Sequence, residues 1–179
     1  GGNELWNTDG TPAGTQRVAD VVPGFSGLNP RELASVGTRL FFTGQDAAHG
    51  TEPYTWDATT NTVQLLKDIV AGDTGSSPGS YTPFGDRILF VASSEALGRE
   101  LWISDGTETG TTPVKDLAPD TADSFPNRIV VSGGRAFFEA TGPGGSALYV
   151  TDGTTDGTVE LIQNNSIGES VPFGTGGLL

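Results

Sequence analysis

A tandem repeat limits what this chain can become. Glu4-Leu5-Trp6-Asn7-Thr8-Asp9-Gly10-Thr11, closed by Gly14-Thr15, returns as Glu100-Leu101-Trp102-Ile103-Ser104-Asp105-Gly106-Thr107, closed by Gly110-Thr111. Weaker copies start at Glu52-Pro53-Tyr54 and at Ala147-Leu148-Tyr149, so the period is 48, 48 and 47 residues (4 to 52, 52 to 100, 100 to 147). A period of this length marks stacked supersecondary units that cannot bury their apolar faces alone. The units run approximately over 4–51, 52–99, 100–146 and 147–179, about 3.7 repeats in one domain.

Each unit reads as four short strands. Arg31 to Val36, Gly37-Thr38 and Arg39 to Thr43 form the first hairpin; Tyr81 to Phe84 with Arg87 to Val91, and Arg128 to Ser132 with Arg135 to Phe138, repeat it. A two-residue link led by Gly between apolar runs is hairpin chemistry. Leu40 and Phe42 point one way and Phe41 the other, so this strand must be covered on both faces. That favours stacked small sheets over a sandwich with one wet face. Loops at Gly44 to Gly50, Ser93 to Gly98 and Thr141 to Gly145 lead into the Glu-Leu-Trp strand. The Asp-Gly-Thr turn follows, where Gly accepts positive φ and Asp bonds the turn's own backbone. Fourth strands are expected at Gln16 to Val22, Thr62 to Ile69, Thr112 to Leu117 and Val159 to Gln163. Four strands in about 48 residues predict an all-β chain of β-propeller-type blades.

The phase of the ends is informative. The chain opens on a third strand and reaches a last first strand around Ser170 to Leu179, with three complete blades between. One phenylalanine-rich strand is lacking for four blades. The ring is therefore completed by residues outside this segment or by a second chain, or it stays open with edges that recruit partners.

Composition narrows the functions. Nine basic and 22 acidic residues give a net charge of −13, which repels nucleic acid and anionic membrane. Cysteine is absent, removing disulfides and thiolate metal sites, and no apolar run is long enough to cross a membrane as a helix. His49 is the only histidine, so zinc chemistry and a histidine triad have little to build on. A carboxylate pair for glycoside hydrolysis is conceivable among 22 acids, but no motif brings two together.

Several residues allow both a functional and a scaffold reading. Asp9-Gly10, Asp57, Asp105-Gly106 and Asp152-Gly153 are turn residues, or one Ca²⁺ ligand per blade. Trp6 and Trp102 pack between sheets, as Tyr54 and Tyr149 at the same place suggest, or stack on sugars. Trp56 breaks the pattern and is expected to face solvent. Arg39, Arg87 and Arg135 recur every 48 residues and would form a rim that captures carboxylate or sulfate, or would pair with neighbouring acids. The non-repeating loop residues Gln45, Asp46, His49 and Glu95 are the other ligand-binding candidates, because binding groups concentrate on variable loops.

The motif resembles the ELWxxDGT repeat family of large secreted or surface proteins of bacteria. The resemblance covers essentially the whole chain and is most specific around residues 4–15 and 100–111. It implies an extracellular location and a noncatalytic role. The differing loops point to a module that binds or adheres, with a glycan or surface protein as partner. The assembly alternative joins open blade edges to another copy. A sialidase-like hydrolase is a lesser alternative, since the Asp-Gly-Thr turn is also similar to the Asp-box of sialidase-type propellers, where it is structural. No resident cofactor is expected beyond that possible Ca²⁺.

Overall fold

The computed structural model describes residues 2–18 and 27–163, and the backbone of two short strands at 172–173 and 177–178. Among these residues every regular element is a strand. β1 (Trp6–Asn7) and β2 (Gln16–Arg17) form a two-stranded sheet. Three four-stranded sheets follow, each with its strands in chain order. The first holds β3 (Arg31–Val36), β4 (Arg39–Asp46), β5 (Gly50–Asp57) and β6 (Thr62–Leu65). The second holds β7 (Gly79–Phe84), β8 (Arg87–Ser94), β9 (Gly98–Ser104) and β10 (Thr112–Pro113). The third holds β11 (Asn127–Ser132), β12 (Arg135–Gly142), β13 (Gly145–Thr151) and β14 (Val159–Gln163). β15 (Pro172–Phe173) and β16 (Gly177–Leu178) pair with each other. All pairings are antiparallel. The first strands β3, β7 and β11 lie side by side, with β15 next to β11, as blades meet around a propeller axis.

The two-sided apolar strand explains the stacking. Phe41 is buried in a cluster with Leu66, Ile88, Phe90 and Trp102, between the first and second complete sheets. Its neighbour Phe42 points the other way, into a cluster with Leu5, Val18, Leu28 and Tyr54. One sheet later Ile88 and Phe90 face back while Leu89 and Val91 face forward, onto Phe138 and Tyr149. Each fully buried side chain of this size contributes roughly 1.5–3 kcal/mol relative to exposure. Neither half of that burial exists in an isolated sheet.

Four expectations change. The second strands run on to Asp46, Ser94 and Gly142, so the expected loops shrink to Ala47-Ala48-His49, Glu95-Ala96-Leu97 and Pro143-Gly144. The fourth strands at Thr62 and Thr112 are shorter than expected, because the chain leaves the ladder after Leu66 and Val114 enter the core. The fourth strand expected at Gln16 to Val22 shows Gln16–Arg17, and its part from residue 19 lies outside the described residues. The single last strand expected around Ser170 to Leu179 is instead the pair β15 and β16; residues 170–171, 174–176 and 179 lie outside the described residues.

Candidate functional site

The stack has two faces. On one, which we call the upper face, the second-to-third-strand hairpins meet the long connections: Ser77 N donates to Thr51 O (3.0 Å), Ser93 N to Ser76 O (2.9 Å) and Thr141 N to Ser124 O (2.7 Å). The other, lower face carries the first-to-second-strand turns and the Asp-Gly-Thr turns, joined where Ala58 N donates to Thr38 O (3.0 Å).

On the lower face the repeat motif reads as turn chemistry, letter by letter. Asp105 Oδ1 accepts from Thr107 N (2.8 Å) and Thr107 Oγ1 (2.7 Å). Gly110 N donates back to Thr107 Oγ1 (3.0 Å), and Thr111 Oγ1 bonds both Thr107 O and Ser104 Oγ. Gly106 sits at φ +90, and a Cβ on Gly110 would come within 2.1 Å of the Asp105 carboxylate. The same bonds recur at Asp9 and Asp152. The threonine hydroxyl and then its amide hold Asp9, Asp105 and Asp152 below the usual carboxylate value. These aspartates thus serve their own turns.

The first complete sheet keeps the aspartate bonds, with Asp57 Oδ1 accepting from Thr59 N (2.8 Å) and Thr59 Oγ1 (2.5 Å), but closes the turn differently. Ala58 stands where the others have Gly, and the positive φ moves to Asn61 (φ 54). Trp56 stands where the others have Thr or Ser, and its Nε1 donates to Asn61 Oδ1 (3.2 Å), taking over the cross-turn bond. Trp56 is therefore not the solvent-facing residue expected. It is half-buried against the cluster holding Leu5, Phe42 and Tyr54, because it shares a strand face with Tyr54. Trp102 is packed as expected, tilted against Phe90 with ring centroids 6.3 Å apart. Trp6 departs from expectation: it is exposed, since its side of the two-stranded sheet has no preceding sheet among the described residues.

The repeated arginines bridge sheets. Arg39 Nη1 donates to the Asp105 carbonyl in the next sheet (2.7 Å), while its Nε lies 3.6 Å from Asp57 Oδ2 in its own sheet. Arg87 Nη2 reaches the Asp152 carbonyl (3.4 Å) and its guanidinium lies over the Phe84 ring. Arg135, exposed in the third complete sheet, has no following Asp-Gly-Thr turn among the described residues. The guanidiniums therefore face turn carbonyls rather than an open anion ring.

Beside Arg39 runs a lower-face groove of about 560 Å³, bounded by Arg39, Asp57, Asp86 and Asp105 with Val36 and Phe41 beneath. Asp86 occupies the one variable position of the first-to-second-strand turns, where Thr38 and Gly134 stand in the other sheets. Among the described residues it has no polar partner, and it lines the groove.

The upper-face candidates assemble differently. Asp46 accepts from the Ala48 and His49 amides (2.8 and 2.7 Å), from Tyr54 Oη (2.6 Å) and from His49 Nδ1 (2.9 Å). Burial pushes its carboxyl up, but the Tyr54 and His49 donors outweigh that and hold it far below the usual range. The same bond raises His49. Asp46 is saturated by its own hairpin. Gln45 and Glu95 are exposed, on a strand end and a three-residue turn, and do not converge with it. A smaller cavity of about 290 Å³ lies between Arg31, Glu32, Thr43, Thr51, Ser77 and Pro78.

Sequence reasoning missed the first letter of the motif. Glu52 and Glu100 are fully buried and staple the third strand to the connection that follows. Glu52 accepts from the Val70 and Ser76 amides (2.9 Å each) and from the Ser76 hydroxyl. Glu100 accepts from Ala118 N (3.3 Å) and Ser124 Oγ (2.5 Å). Burial outweighs these donors and pushes Glu100 up to about 7, and Glu52 upward too. The signal was present: Ser76 and Ser124 keep the 48-residue spacing of the glutamates. Where Leu28 replaces the serine, both Glu4 carboxylate oxygens are buried without a partner among the described residues.

No protein-family model and no curated protein matches the chain. Among solved structures it is similar to the computationally designed Ika8 protein (15% identity, TM-score 0.42, covering 83% of this chain and 40% of that one). It is also similar to the computationally designed Ika4 protein (16%, 0.44, covering 96% and 85%). A third is from a structural and mechanistic analysis of two prolyl endopeptidases (15%, 0.49, covering 92% of this chain and 24% of that one). The chain thus spans well under half of the Ika8 and prolyl endopeptidase chains it matches. The propeller-type blades are read from the chain's own sheets, three of four antiparallel strands in chain order with their first strands side by side.

Proposed function

We propose that this chain is a noncatalytic binding module, secreted or held at a bacterial cell surface, that takes a carbohydrate or a protein surface in the groove beside Arg39. One observation carries the reading: the turn aspartates and the Arg39 and Arg87 guanidiniums are engaged in turns and sheet contacts, while the non-repeating Asp86, without a polar partner among the described residues, lines that groove. Carboxylates and a guanidinium over an apolar floor suit a hydroxyl-rich ligand, whose groups both donate and accept. The resemblance to the ELWxxDGT repeat family supports the extracellular location, and the net charge of −13 argues against nucleic acid as ligand.

A glycan array and a surface-protein pull-down with the folded chain test this, with Asp86→Ala as comparison. Retention that Asp86→Ala abolishes supports the groove. No retention, or retention that the variant leaves unchanged, overturns it.

A second reading, an assembly module, is favoured by a separate observation. The described strands begin and end in two-stranded sheets, whereas each sheet between them has four strands.

A further inference from the structure

The contact between neighbouring sheets is repeated three times, and each time it uses the same pair of positions. Val18 meets Tyr54, Leu66 meets Trp102, and Val114 meets Tyr149, each pair within one buried cluster. None of these six residues is more than 8% exposed. The first member of each pair follows the motif's second position by 13 residues and donates its amide back to it, as Val18 N does to Leu5 O, Leu66 N to Pro53 O and Val114 N to Leu101 O.

Both series have one further member, and in both it is bare. Leu161, 13 residues after Leu148, is 50% exposed on the last complete sheet, with Val159 and Ile162 exposed beside it. Trp6, at the position of Tyr54, Trp102 and Tyr149, is 60% exposed on the two-stranded sheet of β1 and β2. The polar part of the contact is split in the same way. Arg39 and Arg87 fill the space over Gly106 and Gly153, whereas nothing lies within 4 Å of a Cβ built on Gly10. Arg135, the next arginine of that series, is exposed at the other end.

We propose that these two end faces are complementary halves of the same contact, and that the occupant of each is a second copy of this chain. Resting on the assembly reading, the proposal names its partner and geometry. Leu161 of one copy covers Trp6 of the next, and Arg135 donates to the Asp9 carbonyl beside Gly10. The repeat supplies the template: each interior contact shows which side chains cover which. In this structure Trp6 and Leu161 are both bare, and neither is covered among the described residues. A head-to-tail contact of this kind is heterologous, and copies add into a ring or a filament.

The test uses the 179-residue chain, light scattering after size exclusion over a concentration series, and quenching of Trp6 fluorescence, with Trp102 as the buried reference. The expected result is oligomers that grow with concentration while Trp6 becomes shielded. Trp6→Glu and Leu161→Glu change exposed positions and keep the circular dichroism of the parent. Each alone is monomeric. Mixed, they form a one-to-one dimer, because one variant keeps the Leu161 face and the other the Trp6 face. Arg135→Ala weakens assembly about tenfold, the worth of one charge-assisted hydrogen bond. Oligomers that persist in both glutamate variants, or a mixture that stays monomeric, overturn this contact and leave assembly by another surface. A parent chain that is monomeric at every concentration overturns both readings, whether Trp6 is quenched or shielded within its own chain.

Discussion

The Arg39 guanidinium donates to the backbone carbonyl of Asp105, 66 residues later and in the neighbouring sheet. A carbonyl at a tight turn has no ladder partner, and a guanidinium can reach it across the gap between sheets. The same reach at Arg87 makes this a repeated clamp rather than a chance contact. Arg39→Ala is expected to destabilise the chain by about 1–2 kcal/mol, below the full worth of a charged hydrogen bond because the side chain is partly exposed. Arg87→Ala, whose bond is longer, is expected to cost less. Urea denaturation of the two variants checks the order.

A second prediction concerns the glycine that closes the turn. A Cβ at Gly110 meets the Asp105 carboxylate at 2.1 Å, so Gly110→Ala forces that carboxylate off the Thr107 amide and hydroxyl. A loss of about 2 kcal/mol is expected, in the range for a broken cap with added crowding. In an Asp105→Ala background the clash is gone, and Gly110→Ala is nearly neutral. The double-mutant cycle, read by thermal melting, would expose an unrelated cause as simple additivity.

Acidity should stabilise this chain before it destabilises it. Glu100 has its carboxyl raised from an ordinary value to about 7 by burial, and Glu52 is raised in the same direction. A folded-state value above the unfolded one gives a contribution that is full below the unfolded value and lost as pH rises through the folded one. Stability is therefore expected to rise as pH falls from about 8 to about 5. Asp46, Asp105 and Asp152 are lowered, so their contribution is lost as pH falls below the carboxylate range. An optimum near pH 5 follows. Glu100→Gln, which keeps a neutral acceptor, flattens the alkaline side of the curve. A stability that rises steadily from pH 5 to 8 in the parent contradicts this reading.

Chelation should change little. The turn aspartates are taken up by their own threonines, and among the described residues no group of three His, Cys, Asp or Glu side chains is placed to hold a metal ion. The melting temperature is expected to be the same in EDTA and in millimolar Ca²⁺. A rise of several degrees with Ca²⁺ would restore the calcium reading of Asp9, Asp105 and Asp152.

The sheets were legible in the sequence because their cause is local and repeated. The apolar run at Phe41 and Phe42, which faces both ways, the Gly37-Thr38 link and the Asp-Gly-Thr turn each act over a few residues. What was hidden depends on partners far along the chain. Nothing near Glu100 announces that its carboxylate meets Ser124, and nothing near Trp56 announces Asn61 as a substitute for the lost Gly-Thr closure. The loop lengths were misjudged because Gly44 and Gly142 look like strand ends. Gly44 lies inside its strand and Gly142 is the last residue of its own, and their missing side chains leave room for the Tyr54 ring and the Tyr149 hydroxyl. The groove at Asp86 could not be foreseen, since it exists only between two sheets.

Native-state hydrogen exchange tests most directly that each sheet is held by the sheets on both sides. The amides of Ile88 to Ala92, in the strand covered on both faces, are predicted to exchange only through global unfolding. Those of Trp6, Asn7 and Leu161 to Gln163, in sheets covered on one face, are predicted to exchange orders of magnitude faster under monomeric conditions. Equal protection across all these strands, or persistent protection in a fragment holding only residues 27–66, would contradict the account.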